Sequence, residues 1–127
     1  MREAIAEQQV IFEHRDGTRR AGLIRIEKPY VVDDSECRCA VIIDGLHERM
    51  PDVSGNSTLE ALLFAVSLCA SLLKSFVESG GRILRFEEDG DLQSEELFDV
   101  EACFRPLAVL SAAPSSHRRE QRFRREA

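Results

Sequence analysis

Residues 57–81, STLEALLFAVSLCASLLKSFVESGG, leave the chain little choice of local structure. Ser57-Thr58-Leu59-Glu60 has capping-box spacing, so the Ser57 hydroxyl can accept from the Glu60 N–H while the Glu60 side chain reaches back. Gly80-Gly81 supplies a residue that turns left-handed without steric cost, which ends the helix near Ser79. At about 100° per residue, Glu60, Ser67, Ser71, Lys74, Ser75 and Glu78 fall on one narrow polar stripe. The main apolar face is expected from Leu59, Leu62, Val66, Cys69, Leu73, Phe76 and Val77. Leu68 and Leu72 widen it on one flank and Leu63 and Ala70 on the other, while Phe64 sits inside the polar stripe. The apolar arc is about 220°, against the ~100° needed to cover one sheet. Either loops and the C-terminal segment cover the excess, or a second molecule does, most simply in a symmetric dimer. Phe64, Leu68 and Leu72 are the helix residues offered to such a partner.

Around the helix the pattern is that of strands. Val10, Ile11 and Phe12 are β-formers in a row, followed by the turn dipeptide Asp16-Gly17 and a return strand at Ala21–Glu27. Pro29 ends that strand, and 32–36 reads as a polar turn. A third strand is expected at Cys37–Asp44, with Cys39, Val41 and Ile43 on one face. Residues 47–56 read as a loop and Arg82–Phe86 as a fourth strand. In 97–110, Phe98, Val100 and Ala102 alternate with acids, which favours a short strand, and Pro106 interrupts any helix there. The expected fold is α+β: an antiparallel sheet of about four strands with one long helix packed on one face, in the order β-β-β-α-β.

Charge divides the chain unevenly. From Glu87 to Glu101 stand eight acids and no base, and Glu87, Glu88, Asp89 and Asp91 are candidate contacts for a basic partner. The last ten residues carry five arginines against two glutamates. That tail's net +3, set against −6 for the whole chain, leaves −9 on residues 1–110. The division expected is a single domain over 1–110 and a flexible basic tail over 111–127. An acidic body argues against nucleic acid as a partner, and the tail is the one segment with the chemistry for it. The apolar run 61–73 is bracketed by Glu60 and Lys74 and is shorter than the ~18 residues of a bilayer span, so no membrane segment is expected. MREAIAEQQV lacks the basic and apolar regions of a secretory leader, so a cytoplasmic setting with reduced thiols is expected.

Catalytic and cofactor motifs are not found. Cys37 and Cys39 point to one face of a strand, but the other cysteines and the histidines (His14, His47, His117) lack zinc-type spacing. Cys39 with His47 has no nucleophile signature around it. Asp89-Gly90-Asp91 would need its bidentate glutamate at position 100, which is Val100. Gly80-Gly81 lies at the negative end of the helix, the wrong end for phosphate.

Lys28-Pro29, Asp33-Asp34, Cys37-Arg38-Cys39, Ile43-Asp44-Gly45-Leu46 and Thr58-Leu59-Glu60-Ala61-Leu62 follow one another in a familiar order. Over about residues 5–100 the chain resembles a family of short bacterial proteins of unknown function. Cys37 stands at that family's tryptophan and Glu60 at its glutamine. The resemblance implies three antiparallel strands, a long helix and a further strand, and it implies no activity or catalytic residue. The function expected is therefore a non-catalytic protein–protein interaction module without cofactors, working on a protein partner or as a homodimer. An immunity-like protein that neutralises its partner is one form of it. The other class is a small ligand-binding domain or enzyme, with Cys39, His47 or Arg25 converging on a pocket between sheet and helix. If the tail is separate from the fold, deleting residues 111–127 will leave the melting temperature unchanged, and a large drop in a thermal melt would show that it is packed.

Overall fold

The first two strands are joined by a tight turn. Asp16 Oδ1 accepts from the Thr18 N–H at 2.9 Å, and Gly17 takes φ +90°, a value that a side chain strains. A computed structural model of the chain describes residues 3–87 and 92–105. In it β1 (Ala4–Glu13) and β2 (Arg19–Glu27) form a long antiparallel hairpin with Glu13 opposite Arg19 and Val10 opposite Gly22. There follow β3 (Tyr30–Asp33), β4 (Glu36–Cys39), β5 (Val41–Asp44), β6 (Val53–Gly55), α1 (Thr58–Glu78) and β7 (Arg82–Arg85). The architecture is α+β, with antiparallel sheets and one long helix.

The strands are shared between two sheets, where the sequence suggested one. A four-stranded sheet has the order β5-β2-β1-β7 and a three-stranded sheet the order β3-β4-β6. The expected strand 37–44 is cut at Ala40: β4 pairs with β3 and β6, whereas β5 pairs with β2. Ala40 itself accepts from the Glu27 N–H at 3.1 Å. The expected loop 47–56 contains β6, and the expected turn at 32–36 is the tip of the β3–β4 hairpin, where Asp33 Oδ1 takes the Ser35 N–H. Three-residue strands carry too little alternation to show in a sequence.

Both ends of α1 follow their signals. Ser57 Oγ accepts from the Glu60 N–H at 3.0 Å, and Glu60 Oε1 reaches back to the Asn56 N–H at 2.9 Å. At the other end Gly80, at φ +108°, donates to Val77 O and Gly81 to Phe76 O, the paired bonds of a Schellman cap.

Alternation along β1 sends Val10 and Phe12 toward α1, where they join Ile24, Ile26, Val41, Ile43 and Ile83 in the main core. Ile11 and Leu84 are cross-strand partners on the opposite face and are equally buried. The helix line that meets this core is Ala61, Ala65, Cys69 and Leu73, all fully buried and four residues apart. Here the expected face needs correction, because Leu59 and Val77 are 65% and 43% exposed. The cause is close approach. A Cβ on Gly55 of β6 would lie 2.6 Å from the Ala61 backbone nitrogen, so the first turn of α1 rests on the sheet backbone. Near that contact the line carries alanine, and it takes a leucine only at Leu73, three turns on, while Leu59 is turned aside.

Past β7 the chain runs back along the sheet edge. Arg85 N–H donates to Glu96 O at 2.7 Å and Phe98 N–H to Ile83 O at 2.9 Å, with Leu97 bridging to Leu84. Residues 100–105 are helical, not the strand that the alternation favoured, because Asp99 Oδ1 takes the Ala102 N–H and starts a helical turn. Val100 and Phe104 pack on the core. The division at residue 110 and the tail 111–127 lie outside the described residues.

The rotated helix face is open to measurement. Leu73→Ala should cost about 2–5 kcal/mol, whereas Leu59→Ala should stay within about 0.5 kcal/mol. Equal costs in urea titrations would restore the face drawn from periodicity.

Candidate interaction surface

The outer side of α1 carries two apolar flanks separated by the polar stripe. On one flank Leu59, Leu63 (47% exposed) and Val77 stand in solvent beside the half-buried Val66 and Ala70. On the other, Phe64 is 48% exposed, and Leu68 and Leu72 are half-buried. The sequence offered the second flank as partner-binding. Of the first, Leu63 and Ala70 are legible as the other edge of the apolar arc, whereas periodicity alone puts Leu59 and Val77 on the core face. By length and composition α1 would pass as a bilayer-crossing helix, despite the charges that bracket its apolar run. In this fold one of its faces is occupied by the protein's own sheets.

Beside Leu72 lies a half-open cleft of about 230 Å³, lined by Leu46, His47, Leu72, Ser75, Phe76 and Ser79. It holds His47 but neither Cys39 nor Arg25. Cys39 is buried in the core, its thiol 3.2 Å from Glu27 O. Arg25 donates to Glu7 at 2.8 Å and to Glu27 at 3.2 Å. Glu27 is only 2% exposed, and this contact gives its carboxylate a charged partner. Burial pushes the Cys39 thiol up and takes that of Cys69 to about 11, which keeps both as thiols rather than nucleophilic thiolates at neutral pH. His14 stands edge-on to Phe76, their rings 5.4 Å apart. Among the described residues no group of three or more His, Cys, Asp or Glu side chains is arranged to hold a metal.

Of the acidic candidates, Glu87 is exposed, and Glu88, Asp89 and Asp91 lie outside the described residues. Of the acids that follow, Glu95, Glu96 and Asp99 are engaged within the fold. Arg19 donates Nε to Glu13 at 2.9 Å, Nη1 to Leu92 O at 2.7 Å and to Ser94 O at 2.9 Å, and Nη2 to Glu95. Arg82 takes both oxygens of Glu13, at 2.6 and 3.1 Å. Arg85 faces Glu96 at 3.4 Å, and Asp99 caps its helical turn. This clasp ties segment 92–96 to the end of the first hairpin. Nothing in the local sequence announces it, because Arg19 lies more than seventy positions from the carbonyls it holds. The one available signal was register: Glu13 is directly opposite both Arg19 and Arg82.

The chain was compared with protein-family models, with curated proteins and with solved structures, and nothing matches.

The clasp has a pH signature. Hydrogen bonds from Arg82, and then from Arg19, hold the Glu13 carboxyl far below its ordinary 4.5, at about 2. A carboxylate whose pKa is lowered on folding contributes fully above its unfolded value and loses that contribution as pH falls through the folded one. Wild type should therefore lose its advantage over Glu13→Gln as pH drops from 4.5 toward 2. Urea midpoints measured across that range check it, and a constant gap between the two proteins would count against the clasp.

Proposed function

We propose that this protein is a non-catalytic protein–protein interaction module, set in the cytoplasm, whose contact surface is the outer side of α1. The observation that carries the reading is a helix with a full core face and, in addition, Leu59, Leu63, Phe64 and Val77 in solvent. Soluble monomers seldom present bulky apolar residues in such a row, and helix faces of this kind are a common docking element. Four free cysteines, three of them buried, suit a reducing compartment. The acidic body supports a basic partner of the sort an immunity-like protein would neutralise. A second reading, a small-ligand site, has the cleft at His47 in its favour.

Affinity capture from the host, followed by titration with the purified partner, separates the two. Leu59→Ser with Leu63→Ser should weaken binding by about tenfold or more, with the melting temperature unchanged. His47→Ala should leave it intact. Binding indifferent to the helix changes and lost with His47→Ala would overturn the interaction reading in favour of the cleft.

A further inference from the structure

Resting on the reading of α1 as a contact face, we infer that the occupant of its Leu59–Leu63–Val77 flank is a second copy of this chain, with the two helices antiparallel about a two-fold axis. Leu59, Leu63, Val66, Ala70, Leu73 and Val77 are spaced by alternating steps of four and three residues. That spacing is the a/d repeat with which one helix packs along another. The protein's own core takes only one member of the series completely, Leu73. Leu59, Leu63 and Val77 are exposed, Val66 and Ala70 are half-buried, and the alanine near the middle allows two backbones to approach.

The edge of this seam says which helix fits it. Glu60, Ser67 and Lys74 repeat at intervals of seven along one side. They place an acid near the N-terminal end, a neutral residue at the middle and a base near the C-terminal end. Two copies running antiparallel bring each Glu60 toward the other copy's Lys74, twice over. Two copies running parallel place the Glu60–Ser67–Lys74 edges on opposite sides of the seam, where neither charge meets its counterpart. The charge pattern is thus complementary to itself in the antiparallel orientation, while the parallel one gains nothing from it. Glu60 keeps this role beside its cap, since only Oε1 is engaged by the Asn56 N–H. Lys74 makes no ion pair among the described residues and is the sole base on the helix.

Sedimentation velocity of the full chain up to millimolar concentration tests this. Wild type should dimerise, and Leu63→Glu should give a monomer whose melting temperature matches that of wild type diluted to where it too is monomeric. Lys74→Gln should weaken the dimer several-fold, as should high salt, because each exposed pair contributes modestly. A wild-type monomer at every concentration would overturn self-pairing and leave the partner titration above to judge the contact face. A dimer that survives Leu63→Glu would remove this flank from the interface. A dimer tightened by Lys74→Gln would overturn the antiparallel arrangement.

Discussion

The structure depends on how closely α1 approaches the sheets beneath it. Ala61 and Ala65 lie where the first turns of the helix rest on β6, and Gly55 has no room for a side chain there. Cys69 and Leu73 continue the line toward the wider end of the core, where Phe12 and Phe76 meet edge to face at 5.6 Å. A helix seated on its smallest side chains gains contact across two sheets at once. The same choice turns Leu59 and Leu63 outward. The exposed flank is therefore a geometric consequence of the core, not a defect in it, and the exposed Leu59, Leu63 and Val77 are separate from the residues that seat the helix.

A second constraint holds the far end. Glu13 sits between two guanidiniums, and Arg19 adds two backbone carbonyls of the returning segment to its partners. One arginine thereby joins the hairpin end to residues 92–95. Part of what looks from composition like a free acidic surface is an internal fastening.

Punctuation residues made the elements legible. Asp16-Gly17 marked the hairpin, and Ser57 with Glu60 and then Gly80-Gly81 marked both ends of α1. The alternation through Cys39, Val41 and Ile43 placed those side chains in the core correctly. The rest was lost for physical reasons. Periodicity weighs how apolar a residue is, but where a helix sits closest to a sheet the buried residues are the small ones, so periodicity favours Leu59 and Val77 over Ala61 and Ala65. A strand as short as β6 leaves no period to detect. The partition into two sheets is decided by hydrogen-bond partners distant in sequence. The Arg19 clasp joins positions that only the folded topology brings together. The surface candidates Phe64, Leu68 and Leu72 were readable as excess apolar arc, while the flank built on Leu59 needed the true orientation of the helix.

Ala40 is the joint between the two sheets. The chain leaves one sheet and enters the other across this single residue, yet odd-numbered side chains face the core on both sides of it. The two sheets are thus locked in phase by a joint one residue long. Inserting or deleting one residue here would turn Val41 and Ile43 out of the core or drive Arg38 into it. Segment 47–52, between β5 and β6, has no such phase to keep, so an added residue there leaves both sheets in register.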